Sequence, residues 1–494
     1  MTDAFTALIA HFKQIAALEQ VGGVLGWDQE THMPEKGAQQ RAEQFAALTS
    51  VMHEKLTDRR VTDWLAEAAE GDLSAEDQRH LAEAKHAHDR AVRIPEALAA
   101  EISRKTSLSQ KIWAKARKND DYAAFAPTLA EVLELKRQEA DCLRDEGQSR
   151  YDALLNDFEP GADAETLDTL LGGMRPGLTA LREKIAGTGR DTAPLSGTFA
   201  RQAQIDLARK LASLFGYDWD AGRLDFSVHP FSVGHFDDSR ITTRIDEADP
   251  FNCIYSTIHE TGHAVYEQGI DRRLMFLPAG VDASMGVHES QSRFFENQIG
   301  RSRAFITQLF PLMKAAFGGF RAADAEALYR AVNRVETGFI RTEADEVHYN
   351  LHILLRFELE RELVAGDLDV SDLEAEWNHR FERDFGLKVS RASEGVLQDV
   401  HWSEGAFGYF PTYALGSIYA AELDAAMLMA IPDRDAQVAA GELGAVINWL
   451  RDNIHRHARL KPAGELMRDA VGHEPTAGPL LAYLEAKFGE LYGV

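Results

Sequence analysis

Along most of this chain apolar residues return every three to four positions, the spacing that lays one stripe down an α-helix. In TLAEVLELKRQEADCLRDEG, residues 128–147, Leu129, Val132, Leu133 and Leu135 fall near one face, and Gly147 is a natural stop. NLHILLRFELERELVAGD, residues 350–367, repeats the pattern up to Gly366. The opening MTDAFTALIAHFKQIAALEQ has no basic n-region and no cleavage-site pattern, so it predicts a first amphipathic helix. The C-terminal stretches VINWLRDNIHRHARL and LLAYLEAKFGELYG predict further helices.

Strand signal is confined to LDFSVHPFSVGHFDDSRITTRI, within residues 224–246, where β-branched and aromatic residues alternate around Gly234 and the Asp237-Asp238-Ser239 turn chemistry. It predicts two or three short strands forming a small antiparallel sheet. No Pro/Gly/Ser-rich linker or fixed-period repeat divides the chain, and IAGTGRDTAPLSGTFA, residues 185–200, reads as a loop within one body. The expectation is a mainly α protein with one domain over 1–494. A helical N-terminal lobe, about 1–220, would interleave with a catalytic region, about 221–494.

Composition narrows the class. Hydrophobic residues at 45% and charged residues at 27% are ordinary for globular chains, which argues against long disordered regions. No run approaches the roughly 18 apolar residues that a membrane-spanning helix needs, so no membrane partner is expected. A net charge of −26 repels nucleic acid, and no basic stretch interleaved with aromatics offsets it. Cys142 and Cys253 lie far apart in sequence, so a disulfide framework is not expected and a cytoplasmic location fits.

The chemistry concentrates in YSTIHETGHAVYEQG, residues 255–269. His259 and His263, at i and i+4, lie one turn apart on one helix face, so both imidazoles can reach one cation. Glu260 points about 100° away round the helix, toward a water at the metal, as a general base would. Gly262 permits close approach of another backbone. A shuffled chain of this composition would show H-E-x-x-H about one time in twenty, so a pair of satisfied core histidines competes with the metal reading on this segment alone. A third ligand must come from elsewhere. If DASMGVHESQSRFFENQIG, residues 282–300, is a helix, then His288, Glu289 and Glu296 share its polar face, and periodicity does not choose among them.

These residues carry a resemblance. H-E-T-G-H, followed 26 residues after its second His by the Glu of H-E-S-Q-S, resembles the thermostable carboxypeptidase (Taq carboxypeptidase) family of zinc metallocarboxypeptidases. His229-Pro230-Phe231, DSRIT (238–242), IRTEAD (340–345) and GVLQDVHW (395–402) match further signatures in order. With GWDQETHMPEKGAQQR near the start and FGYFPTYALG after His401, the likeness covers nearly the whole chain. It implies His259, His263 and Glu289 as metal ligands, Glu260 as catalytic base, a helical fold around a deep groove, and a homodimer that removes single residues from peptide C-termini. Asp237-Asp238 before the Arg and Ile245 depart from the family pattern and bear on specificity.

An enzyme acting at a free C-terminus needs a cation for the carboxylate, and a planar guanidinium binds one bidentately. Arg341 and Arg240 are the candidates, and the resemblance favours Arg341. The competing reading pairs Arg341 with Asp345 four residues on, along one helix. His401, with Tyr413 or Tyr409, is placed to donate to an oxyanion. His229 would line the groove or orient a ligand. His455 and His457, at i and i+2, point apart on a helix, which argues against chelation and for a surface or interlobe role. The expected cofactor is Zn²⁺, with Co²⁺ admissible. The expected substrates are peptides with free C-termini. An H-E-x-x-H endopeptidase shares the zinc chemistry, and a metal-free helical binding protein would share only the pattern.

Overall fold

The computed structural model describes residues 3–189, 197–318 and 320–494. Among them are twenty-one α-helices and one three-stranded sheet. The first helix, Asp3–Thr31, buries Phe5, Leu8, Phe12 and Ile15 in the predicted stripe. Tyr122–Leu143 buries Leu129, Val132 and Leu133, leaving Leu135 half-buried. Glu346–Ala365 ends at Gly366, whose φ of 93° is the left-handed C-terminal conformation that glycine adopts without strain. Helix Arg175–Gly187 runs into the predicted loop at 185–200, and residues 190–196 of that stretch lie outside the described residues.

The sheet consists of β1 (Leu224–Phe226), β2 (Ser232–His235) and β3 (Asp238–Thr243), in the order β1-β3-β2. It is mixed rather than antiparallel: β2 and β3 form a hairpin, but β1 pairs with β3 in parallel, Leu224 opposite Ile241. Turn chemistry dictates only the hairpin. Its two-residue turn, Phe236-Asp237, needs left-handed backbone, and Phe236 adopts φ 53°. The return of β1 to the far edge of β3 is a tertiary choice with no local signal.

One large core runs from Ala116 to Tyr492. A separate small core joins Leu8, Phe12 and Ile15 to Val61 and Leu65 of helix Arg59–Ala69 and Ala84 of helix Ala75–Arg93. The N-terminal helices meet the rest through polar and aromatic contacts. Two guanidiniums lie over the Trp27 ring, Arg223 at 4.6 Å and Arg240 at 4.3 Å. Arg79 donates to the Arg459 carbonyl at 2.8 Å, and the Ala279 N–H to His80 Nδ1 at 3.2 Å. No single helix among the described residues is long and apolar enough to cross a membrane. The bent pair Phe410–Ala430 and Arg434–Ala440 passes only jointly, across a 99° break, and most of its first member is buried in the core.

Candidate active site

The helix Pro250–Gly269 starts on an Asp249 side chain that accepts the Phe251 N–H at 2.9 Å, with Pro250 in the first turn, where its missing N–H costs nothing. It carries His259 and His263 one turn apart, ring centroids 5.0 Å from each other. Helix Met285–Arg293 crosses close beside it because Gly262 has no side chain; a Cβ there would lie 2.5 Å from Ser292 Cα. On its other side, helix Phe410–Ala430 presents Gly416, where a Cβ would lie 2.4 Å from Glu289 Cγ. Two glycines therefore let Glu289 reach the histidines.

Oε2 of Glu289 lies 3.7 Å from His259 Nε2 and 3.4 Å from His263 Nε2, and among the described residues these three side chains are the group whose donor atoms could share one metal ion. Two ligands each about 2.0–2.1 Å from a tetrahedral centre sit about 3.3 Å apart, and both spacings from Glu289 Oε2 are near that value, so the chemistry and placement of the donor set suit a zinc-sized cation. The other two sequence candidates do different work. His288 turns to Glu267, Nε2 to Oε1 at 3.1 Å, and stacks on His263 at 4.4 Å. Glu267 also accepts from His235 Nδ1 at 2.7 Å. Glu296, on a π-helical turn Phe294–Ile299, accepts from His259 Nδ1 at 2.9 Å, which orients the ring and leaves Nε2 facing Glu289.

Arg293 organises both carboxylates. Its Nε donates to Glu289 Oε1 at 2.7 Å and its Nη1 lies 3.5 Å from Glu296 Oε2. Burial pushes the Glu289 carboxyl upward, but Arg293 and the two histidines outweigh it and hold the group ionised. Burial also opposes charge on His259, and there Glu289 and Glu296 win, raising it to about 9; on His263 burial wins and lowers it to about 3. Glu260 is buried, accepts no hydrogen bond among the described residues, and is pushed by burial to about 7.

A second cluster forms around Arg341. The competing i,i+4 pairing with Asp345 does not occur: Arg341 lies on a 3₁₀ turn, Arg341–Glu343, while Asp345 caps the next helix. Asp345 accepts the Val347 and His348 N–H groups and pairs with the His348 ring. Arg341 instead donates through Nε to Asp399 at 3.0 Å and through Nη1 to the Tyr349 hydroxyl at 3.4 Å, and lies 4.8 Å over the Tyr413 ring. Asp399 also binds Arg356 through its other oxygen. His401 packs on Phe410 at 4.5 Å with Nε2 3.4 Å from the Tyr413 hydroxyl, and burial lowers it to about 4, so it is neutral. Glu360 anchors the segment between them, accepting from Trp402 Nε1 at 2.9 Å, Tyr151 at 3.0 Å and the Gly408 N–H at 3.2 Å.

The remaining sequence candidates sit apart from these clusters. Arg240 is bound bidentately by Asp238 at 2.7 and 2.8 Å and stacked on Trp27. His229 is exposed, and its imidazole makes no hydrogen bond among the described residues. His455 is buried rather than superficial and bonds Gln291 at 2.9 Å, whereas His457 bonds the Asp452 carbonyl. Sequence reasoning missed Arg293 and Tyr349. The first was findable, four residues after Glu289 on one helix face; the second carries no spacing signal.

Residues 7–488 match the protein family described as carboxypeptidase Taq (M32) metallopeptidase. The chain is 40% identical to thermostable carboxypeptidase 1 of Thermus thermophilus, with 99% of each covered, and 36% identical to carboxypeptidase 1 of Bacillus subtilis, with 98% of this chain and 96% of that one covered. Its structure superposes on the M32 carboxypeptidase of Deinococcus radiodurans with a TM-score of 0.96 at 38% identity over all of both chains, and on metallocarboxypeptidase 1 of Trypanosoma cruzi with a TM-score of 0.96 at 33% identity over 98% and 99%. The geometry of two histidines and a glutamate agrees with that membership: the chain belongs to the carboxypeptidase Taq (M32) metallopeptidase family and is a metal-dependent carboxypeptidase, a peptide hydrolase.

Proposed function

We propose that the chain removes single residues from peptides with a free C-terminus, using a divalent cation held by His259, His263 and Glu289 in the groove that the resemblance implies. The N₂O donor set suits Zn²⁺ and also admits Co²⁺. A cation bound there supplies Lewis acidity toward the scissile carbonyl and lowers the pKa of water. Glu260 takes the proton from the attacking water and passes it to the leaving amine. The observation that carries this role is its buried carboxylate, unbonded and beside both histidines, with a pKa pushed to about 7, near the operating pH. His401 and Tyr413 supply donors to the oxyanion. Arg341 binds the substrate carboxylate: Nε is committed to Asp399, and no hydrogen bond engages Nη2 among the described residues. Arg240, neutralised by Asp238, is left to shape a wall.

The working form in this reading is a cytoplasmic homodimer, on the strength of two unbridged cysteines and of the family resemblance. Digesting one peptide with free and amidated C-termini, with products read by mass spectrometry, tests the central claim. Turnover should depend on the free carboxylate; equal turnover of both forms sinks the role given to Arg341.

A further inference from the structure

Two guanidiniums with different tasks converge on one buried tyrosine. Tyr349, 5% exposed on helix Glu346–Ala365, has the Arg293 guanidinium 3.9 Å over its ring and the Arg341 Nη1 3.4 Å from its hydroxyl. Arg293 grips Glu289, and Arg341 is gripped by Asp399. Tyr349 is thus the side chain through which the metal-binding carboxylate and the carboxylate anchor are spaced. Its hydroxyl accepts from Arg341, and its own proton has no acceptor among the described residues, so it remains available to an anion held beside that guanidinium.

We propose that Tyr349 is the positioning residue that sets the register of the exopeptidase, by fixing how far Arg341 stands from Glu289; this rests on the reading of Arg341 as the carboxylate anchor. The spacing matters because consecutive Cα atoms are about 3.8 Å apart, so an anchor that moves outward by that distance would present the penultimate peptide bond instead of the last. Core filling alone does not account for the Tyr349 hydroxyl.

The test compares the metal-loaded enzyme with Tyr349→Phe and Tyr349→Leu on one peptide with free and amidated C-termini. Tyr349→Phe keeps the ring under Arg293 and removes only the hydroxyl. It should bind metal as the parent does, keep kcat within about twofold, and raise KM for the free acid by about 3- to 10-fold, the worth of one modest hydrogen bond. Tyr349→Leu removes the spacer, and dipeptides should join single amino acids among its first products. Unchanged KM and free-to-amide preference in Tyr349→Phe overturn the proposal, as does loss of metal by that variant, which would mark a structural role. Should Tyr349→Leu fail to fold, the phenylalanine variant still decides. Failure of the underlying reading shows separately, because the parent enzyme itself would then cleave the amide as well as the acid.

Discussion

His259 donates through Nδ1 to Glu296 at 2.9 Å, so the nitrogen it turns to Glu289 is always Nε2. Removing the acceptor by Glu296→Ala should weaken metal binding by about 10- to 100-fold, the usual cost of losing a partner behind a histidine ligand. Chelator competition measures this. Unchanged affinity would mean that packing alone orients the ring.

Glu260→Gln keeps the size of a buried side chain and removes its basicity. The variant should retain its metal and lose about 10²- to 10⁴-fold in turnover. Metal analysis alongside a peptide assay separates the two effects, and a fully active variant would move the base elsewhere.

Gly262 is expected to resist enlargement. An alanine Cβ would meet Ser292 Cα at 2.5 Å and the Gln291 carbonyl at 2.6 Å, both backbone atoms that cannot step aside. Gly262→Ala should therefore cost about 1–3 kcal/mol of stability and weaken metal binding by displacing the helix that carries Glu289. Gly26→Ala, whose Cβ meets nothing within 4 Å, is the control and should be neutral or stabilising by up to about 1 kcal/mol. Thermal melts of both variants, with and without metal, decide it.

Glu360 gives a pH dependence with a definite sign. Burial raises it from 4.5 to about 8, so between those values the folded chain holds a proton that the unfolded chain has released. Its contribution to stability is fully present below about pH 4.5 and is lost as pH rises to about 8. Glu360→Gln cannot ionise, and its amide N–H faces donors, so it should melt below the parent at pH 5, with the gap narrowing toward pH 8.5. A gap independent of pH would contradict the assignment.

How much of this was readable beforehand differs by kind of interaction. The helices around Leu129, Val132 and Leu133 and the H-E-x-x-H face follow from a 3.6-residue period, which is local. The role of Gly262 was readable as a place for close approach, though not which backbone would come. The choice of Glu289 over His288 and Glu296 was not readable from periodicity, because all three share one face. What separates them is the tilt of one helix against another, fixed by Gly262 and Gly416, 154 residues apart in sequence. The parallel pairing of β1 and the partnership of Arg341 with Asp399 and Tyr349 depend likewise on tertiary placement, and the i,i+4 rule pointed Arg341 to the wrong carboxylate.

Trp27 gives the joint between the N-terminal helix and the sheet a particular insensitivity. Arg223 and Arg240 are each neutralised by a carboxylate on their own strand or beside it, Asp225 at 2.6 Å and Asp238 at 2.7 Å, before they stack on the indole. At this point both guanidiniums lie over the ring, at 4.3 and 4.6 Å, with Trp27 7% exposed, the Arg240 side chain mostly covered and that of Arg223 half-exposed. Contacts that short lie well inside the Debye length of about 8–10 Å at ordinary ionic strength. A chain with a net charge of −26 is thus fastened here by contacts that added salt weakens less than it would a joint built of exposed ion pairs alone, while the half-exposed His32, 3.4 Å from Asp225 beside them, stays open to screening.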